Sequence, residues 1–267
     1  IPEDKSIAHI MMDLKNQYQN KMNAITNMGV SFDAQGNITN LAQLGDVKQT
    51  YSVGGVDYGI QELARDAWDS QRIYNNFEYA VTNQNIPVEG VNSYYNASTG
   101  RNEMKAGEPR SVSILTPGEV QWIFDSQNIT EFKLKQKEMI GTLKSNMKET
   151  TNLITQKQKI ASSLAGSLKE AGDLSQLSQS LKGDDVRKAA ENMGLDPDQL
   201  SPEQITMMIQ SINGDIASLN DRITDIYTRA IAWGGHDEVA KGDAELAGEL
   251  IAAGGTTSGL TDPDIIP

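Results

Sequence analysis

The residue types that most often perform catalysis or bind metals are scarce in this chain of 267 residues. It contains two histidines, His9 and His236, and no cysteine. Thiolate catalysis, disulfide bonds and zinc sites built on sulfur are therefore excluded, and histidine-based triads are not expected. His9 lies beside the apolar stripe of the first predicted helix, so we interpret it as a partly buried helix residue rather than a metal ligand. His236 follows a glycine pair and is predicted to be exposed.

Two short acidic clusters, Asp184-Asp185 and Asp196-Pro197-Asp198, contain the carboxylates that calcium prefers, but neither has the spacing of a helix–loop–helix calcium site. We predict instead that Asp185 and Asp196 cap short helices. The chain also lacks a phosphate loop ending in Lys-Ser/Thr, a Gly-x-Ser-x-Gly elbow and a His-Glu-x-x-His pair. A pair of distant carboxylates, as in glycoside hydrolysis, stays open because such partners need not be close in sequence. The sequence predicts no enzyme, no cofactor and no metal site.

One basic segment interrupts an otherwise acidic chain, which has 23 Lys and Arg against 36 Asp and Glu and a net charge of −13. Seven lysines and three glutamates lie between Glu131 and Ile160. Such a stripe could bind DNA or an acidic partner. We favour the alternative that it is the solvated face of a long helix, whose lysine stems cover an apolar seam. The candidate basic face consists of Lys133, Lys137, Lys144, Lys148 and Lys159.

Charge and composition limit the partners and the shape of the protein. The isoelectric point near 4.6 argues against nucleic acid as a partner, except along this lysine-rich helix, because binding to phosphates requires clustered Lys and Arg. Hydrophobic residues make up 38% of the chain, below the roughly 45–50% of a typical globular protein. This composition favours an elongated shape with a thin core.

Apolar residues recur every three or four positions in the first third of the chain. This spacing predicts one helix from Pro2 to Met28, ended by Gly29, and a second from Ile60 to Val81. Between them, an inserted element at about 30–57 should form a small hairpin around the turn at residues 33–37.

A second inserted element, at about 83–115, has no helical period. Val91–Tyr95 and Asn102–Ala106 could pair across the turn at residues 98–100. After it, Thr116-Pro117-Gly118-Glu119 is a strong helix start, and we predict that the helix runs to about Ala171. Its second half has a heptad register at Ile140, Leu143, Met147, Thr150, Ile154, Lys157, Ala161, Leu164 and Leu168.

The last long helix has the most regular pattern. Ser201 and Gln204 form a second capping signature at its start, and Gly234-Gly235 end it. Apolar residues then alternate at steps of four and three, which is typical of coiled-coil packing. The predicted assembly seam consists of Ile205, Ile209, Ile212, Ile216, Leu219, Ile223 and Ile226.

These elements predict a mainly α fold, an elongated long-helix bundle with coiled-coil-like packing and small β-hairpin insertions. A length of 267 residues suits one or two domains. We assign residues 1–233 to the bundle and residues 234–267 to a Gly-rich, acidic tail that is flexible or ordered only against a partner.

Hydropathy and the first residues of the chain favour an exported protein. No stretch approaches the roughly 18 apolar residues of a transmembrane helix. The chain begins with Ile1-Pro2 rather than Met, which suggests removal of a signal peptide, a pro-segment or a tag.

Ile1-Pro2, Met11-Met12 and the run Leu14-Lys15-Asn16-Gln17-Tyr18-Gln19-Asn20-Lys21-Met22 resemble the exported minor pilins of bacterial type IV secretion and conjugation systems. The resemblance implies a helical, non-enzymatic subunit at the pilus base and tip that contacts recipient cells. It also implies a periplasmic or cell-surface location after signal-peptide removal.

The first functional hypothesis is therefore a structural subunit that assembles as a homo-oligomer and with other secretion or pilus subunits. Two alternatives stay open at this point. One is a helical DNA-ejection or tail component of a phage virion, in which the lysine face would line a conduit. The other is a needle-tip protein of a type III system, which also uses a long-helix hairpin with inserted elements.

Overall fold

The computed structural model describes residues 5–35, 37–40, 50–83, 86–96, 98–170, 183–236 and 238–239. Within these ranges the protein is mainly helical, with six helices and two antiparallel β-hairpins, which confirms the mainly α class with small β insertions. The β1–β2 hairpin lies at 50–59, outside the turn at 33–37 that was predicted. None of the helices in the described part of the chain has the length and apolar character needed to cross a membrane. The elements in chain order are α1 (Ile7–Asn27), β1 (Thr50–Val53), β2 (Val56–Gly59), α2 (Ile60–Asn83), β3 (Ile86–Asn96), β4 (Arg101–Val112), α3 (Pro117–Phe124), α4 (Ile129–Glu170), α5 (Asp184–Asn192) and α6 (Pro202–Trp233).

Helices α1 and α2 confirm the first two predicted helices. The Ser6 hydroxyl accepts a hydrogen bond from the backbone N–H of His9 and so caps the start of α1. Gly29 follows the end of α1 with a φ of +71°, a conformation that favours glycine. Ile25 of α1 is buried in an apolar cluster with three residues of α2, Leu63, Ala64 and Ala67.

The first inserted element contains two short antiparallel pairings. Phe32 and Ile38 form an isolated bridge across the predicted turn. Strands β1 and β2 pair in register from Thr50 with Gly59 to Val53 with Val56. Residues 41–49 lie outside the described residues.

The second inserted element is the hairpin of β3 and β4, and both strands are longer than the sequence predicted. Its turn closes with a hydrogen bond from the N–H of Gly100 to the carbonyl of Asn96, at 2.8 Å. Helix side chains bind the β3 backbone within the predicted stretch Val91–Tyr95.

The single helix predicted from Thr116 to about Ala171 is wrong: α3 ends at Phe124 and α4 begins at Ile129. The predicted capping box at Thr116 and Glu119 is present. The interruption has its own capping, since the side chain of Asn128 accepts the backbone N–H groups of Thr130 and Glu131, both at 3.0 Å. A new helix start of this kind was not predicted.

The two acidic residues predicted as caps also have different roles. The N-cap of α5 is Gly183, and Asp185 lies in the first helical turn, where its charge is favourable near the helix N-terminus. Asp196 closes a turn, because its side chain accepts the N–H of Asp198 at 3.0 Å. The second predicted capping box is confirmed, since Ser201 and Gln204 exchange hydrogen bonds at 2.8 and 3.2 Å.

The chain divides into two compact units. The first comprises residues 1–86, 112–139 and 231–234, and the second comprises residues 87–111, 140–230 and 235–267. Of the tail predicted at 234–267, the structure describes 234–236 and 238–239, where Gly235 and Val239 are buried. Residues 240–267 lie outside the described part of the chain.

The core of the second unit joins three helices. Its buried cluster contains Leu164 of α4, two residues of α5 and three of α6. Leu200, which precedes α6, completes it; the other members are Val186, Ala190, Ile205, Met208 and Ile212.

Candidate functional site

The predicted assembly seam of α6 is partly occupied by contacts within the chain. Ile205, Ile212, Ile223 and Ile226 are buried. The remaining three, Ile209, Ile216 and Leu219, are half-buried. Ile209 and Ile216 pack against the core cluster of the second unit, together with Ile160, Ala161 and Leu168 of α4. Much of the apolar surface of the seam therefore serves packing of α6 within the second unit.

The five lysines of the candidate basic face differ in their exposure and in their contacts within the chain. Lys133 and Lys137 are exposed residues of the first unit. Lys144 and Lys148 of the second unit are half-buried and have contacts within the chain. Lys159, also in the second unit, is exposed, and its Nζ lies 4.7 Å from the ring centre of Tyr95, as a cation–π contact requires.

Two further lysines of the same segment are bound within the fold. Lys135 donates to the carbonyl of Trp122 at 2.9 Å and lies 3.4 Å from the carboxylate of Glu131. Lys157 forms an ion pair with Asp215 at 2.6 Å. The lysine-rich segment therefore contributes to packing and capping as well as to the surface.

The β3 backbone is held by side chains of helices in the second unit. The N–H of Val91 donates to the Thr224 hydroxyl at 2.9 Å, and that hydroxyl lies 3.2 Å from the Val91 carbonyl. The N–H of Ser93 donates to Oδ1 of Asn220 at 2.9 Å. The N–H of Tyr95 donates to the side-chain oxygen of Gln158 in α4. Because alternate residues of a strand direct their backbone groups to the same edge, three helix side chains close one edge of the hairpin.

These anchors are buried polar groups. Ser93, Asn220 and Thr224 are buried. On β4, the side chain of Asn102 is also buried, and its Oδ1 accepts a hydrogen bond from the hydroxyl of Thr155 in α4 at 2.6 Å. Breaking hydrogen bonds of buried groups costs free energy, so the bonds to the Ser93 N–H and to Oδ1 of Asn102 favour one orientation of the hairpin on α4 and α6.

Much of β4 is exposed. Along β4, Lys105, Ala106, Glu108, Pro109 and Ser111 are exposed. The hairpin therefore has a buried anchoring edge and a solvent-exposed polar stretch.

A carboxylate joins the two strands near the turn. The Tyr94 hydroxyl donates to Glu103, and the side chain of Asn96 donates to the same carboxylate at 2.8 Å. The hydrogen bond from Tyr94 lowers the pKa of Glu103 and raises the pKa of Tyr94 itself. The ionised carboxylate thus helps to fix the strands to each other.

A polar joint in the first unit connects the start of α3 with the end of α6. Oε2 of Glu119 accepts the backbone N–H of Thr116 at 2.8 Å and its hydroxyl at 2.9 Å, and Oε1 accepts the indole N–H of Trp233 at 3.0 Å. The carbonyl of Trp233 accepts a hydrogen bond from Gln136 of α4 at 2.7 Å. The Trp233 ring, fully buried, stacks on Phe132 at 6.2 Å between ring centres.

His9 lies at the edge of this joint. Its Nδ1 is 3.0 Å from the Ser6 hydroxyl, and its ring meets that of Phe132 edge-on at 4.9 Å. Nδ1 is also 3.5 Å from the Gln136 amide nitrogen. Burial lowers the pKa of His9. This geometry agrees with the interpretation of His9 as a partly buried helix residue, whereas His236 is half-buried rather than exposed as predicted.

Lys15 is a buried cation that the sequence did not single out. It is 2% exposed, and its Nζ donates to the carbonyl of Ser126 and lies 5.6 Å from the ring centre of Phe124. Burial lowers the pKa of Lys15. With Lys135, it supplies donors to carbonyl groups at the end of α3, where a helix leaves backbone acceptors without partners.

The chain matches no protein-family model, no curated protein and no solved structure. Within the described ranges, no group of three or more His, Cys, Asp or Glu side chains could hold a metal ion. The candidate functional site is the β3–β4 hairpin, which helix side chains anchor along β3 and which is exposed along much of β4.

Proposed function

We propose that the protein is a non-enzymatic structural subunit of an exported bacterial machine, and most specifically a minor pilin or a tip or stalk component of a type IV secretion system. The observation that carries the proposal is the attachment of the β3–β4 hairpin. Its buried edge is bonded to α6 and α4 at Val91, Ser93 and Tyr95, whereas much of β4 is exposed.

This arrangement suits a surface that binds another protein. An isolated two-stranded hairpin is only marginally stable in water, so it needs support from other elements. Here Thr224, Asn220 and Gln158 supply that support through hydrogen bonds to backbone N–H groups. A surface fixed in advance loses less conformational entropy when a partner binds. The polar stretch from Lys105 to Ser111 is the part of the hairpin that we assign to such a contact.

We also propose coiled-coil-like packing for the long helices. The heptad positions Leu143, Met147, Ile154 and Leu164 of α4 are all buried, which supports this packing. On α6, Ile205 and Ile212 belong to the same core cluster as Leu164. Half-buried positions such as Ile216 and Leu219 leave apolar surface that a second copy could cover.

The proposed partners are copies of this chain and other secretion or pilus subunits, and the proposed location is the periplasm or the cell surface. Both rest on the N-terminal resemblance, which extends from Ile1 to Met22. Within that stretch, Met11 and Met12 are fully buried, so part of the resemblance falls on residues that pack the core rather than on a contact surface.

The test is site-specific photo-cross-linking in the cells that produce the protein. A photoreactive residue replaces Lys105 or Glu108 on the exposed hairpin, and a matched replacement of Asn213, exposed on α6, is the control. We expect adducts from the hairpin positions that contain this chain or envelope-complex subunits, identified by mass spectrometry, and fewer from position 213. Recovery of the chain only inside the cells, with no hairpin adducts, would overturn the proposal.

A further inference from the structure

The first unit contains an open groove of about 640 Å³ between α2 and a second wall formed by residues 35, 37 and 38. One wall is the α2 stretch from Gln61 to Arg72, and the other is formed by Gln35, Asn37 and Ile38. This volume falls in the range of ligand-binding pockets. The groove is distant in sequence from the hairpin and belongs to the other unit.

Two arginines flank a tryptophan along the α2 wall. Arg65, Trp68 and Arg72 follow one another at steps of three and four, so they share one face of the helix. A separation of seven residues places Arg65 and Arg72 roughly 10 Å apart along the helix axis. In a peptide with the polyproline II conformation, positions i and i+3 lie on the same face, roughly 9 Å apart.

The charges in the groove favour an anionic ligand. Among the lining residues that the structure describes, Asp69 is acidic, and its carboxylate lies 3.2 Å from the guanidinium of Arg72. The side chain of Arg72 is 66% exposed and that of Asp69 is 44% exposed. Exposed ion pairs contribute little free energy, so Arg72 can exchange Asp69 for another carboxylate. Arg65 is exposed and forms no ion pair with any residue of the described part of the chain.

The groove also has a fixed apolar surface and groups that can bind a peptide backbone. The ring of Trp68 lies 6.0 Å from that of Phe32, and Ala64 beside it leaves room because its side chain is small. The Asn37 side-chain nitrogen donates to Asp33 at 2.9 Å. Oδ1 of Asn37 can then accept a hydrogen bond from a peptide backbone N–H. Gln35 and Gln61 add amide donors and acceptors.

We propose that this groove binds an acidic peptide segment of a partner protein in the polyproline II conformation. Two of its carboxylates, three residues apart, bind Arg65 and Arg72, and an apolar side chain between them lies on Trp68. Arginine suits this role because its planar guanidinium binds carboxylates through two parallel hydrogen bonds.

The test uses the full chain and the probe peptide acetyl-Gly-Glu-Leu-Ala-Glu-Gly-amide, followed by titration calorimetry and by tryptophan fluorescence. We expect saturable binding that weakens with added salt. The combined Arg65→Gln and Arg72→Gln variant should lose at least about tenfold in affinity, since each charged hydrogen bond contributes more than a neutral one. Trp68→Phe should abolish most of the fluorescence change.

Two controls make the result specific. Arg222→Gln changes an arginine of the second unit that is 45% exposed, and it should leave the affinity unchanged. The same peptide with Gln in place of both Glu residues should bind at least about tenfold more weakly. Equal binding by the double variant or by the Gln peptide would overturn the proposal. Competition by inorganic phosphate at the affinity of the peptide would also overturn it, since that result indicates a general anion site.

Discussion

The indole N–H of Trp233 donates a 3.0 Å hydrogen bond to Oε1 of Glu119, and both side chains are buried. The bond joins residues 114 positions apart. The same carboxylate caps α3 through the backbone N–H and hydroxyl of Thr116. The carboxylate of Glu119 therefore caps the start of α3 and also binds the end of α6. This joint lies in the core of the first unit.

We predict that Glu119→Gln lowers the free energy of unfolding by about 1–3 kcal/mol. The amide keeps the size of the side chain but directs an N–H donor at either Trp233 or Thr116, which are donors themselves. Urea denaturation measures the loss. Glu62→Gln, an exposed change on α2, is the control and should stay within about 0.5 kcal/mol of the unchanged protein. Equal stability of the two variants would show that the joint contributes nothing.

The pH dependence of stability should report on His9. Burial lowers its pKa below the ordinary value of 6.5. Between that value and the lower pKa of the folded state, the unfolded chain binds a proton that the folded chain does not. The free energy of unfolding contributed by neutral His9 is therefore fully present above pH 6.5 and is lost as the pH falls below it.

Urea denaturation at a series of pH values measures this loss. His9→Gln removes the titrating group, so its stability should fall less steeply below pH 6.5 than that of the unchanged protein. His236→Gln removes the other histidine of the chain and should keep the steep slope. An unchanged slope in His9→Gln would contradict the account of the buried ring.

The anchoring of the hairpin predicts changes in amide hydrogen exchange. Asn220→Ala removes the acceptor for Ser93, so the Ser93 amide should exchange faster and stability should fall by about 1–3 kcal/mol. Thr224→Val should do the same at Val91. The control, Asn213→Ala, changes an exposed residue of α6 and should leave both amides protected. Protection that persists in all three variants would show that the hairpin does not depend on these side chains.

The same substitution at a buried and at an exposed isoleucine of α6 tests how much stability the buried position contributes. Ile223 is fully buried, and Ile231 is 48% exposed. Ile223→Asp should cost more than about 4 kcal/mol because it buries an unpaired charge. Ile231→Asp should cost less than about 1 kcal/mol. Circular dichroism melting at two protein concentrations measures both stabilities. A stability loss in Ile223→Asp that disappears at high protein concentration would show that another chain covers this position instead.

The regular elements were predictable because they depend on local periodicity. The steps of three and four that end at Met28 predicted α1, and Thr116 with Glu119 predicted the start of α3. The break at 125–128 was missed although these residues are all polar and Asn128 caps the start of α4. The contacts of Lys15 and Lys135 with the carbonyls of Ser126 and Trp122 are tertiary, so the sequence could not show them.

The anchored hairpin was predictable in position but not in function. Val91–Tyr95 were expected in a strand, whereas Asn220 and Thr224 were absent from the predicted seam because they are polar. Asn220 and Thr224 bind residues more than 120 positions away in the sequence. The periodicity of one helix cannot show such contacts. The same holds for Trp233, whose partner Glu119 was recognised only as a cap.

The mass of the particle that contains this protein tests the central proposal most directly. Particles extracted under mild conditions from the envelope of the producing cells would be measured by native mass spectrometry. An assembly subunit should occur in a particle far heavier than the 29.1 kDa chain, with further copies or other envelope subunits present at fixed ratios. Recovery of the chain solely as a 29.1 kDa monomer, from cells whose envelope machine is intact, would contradict the proposal.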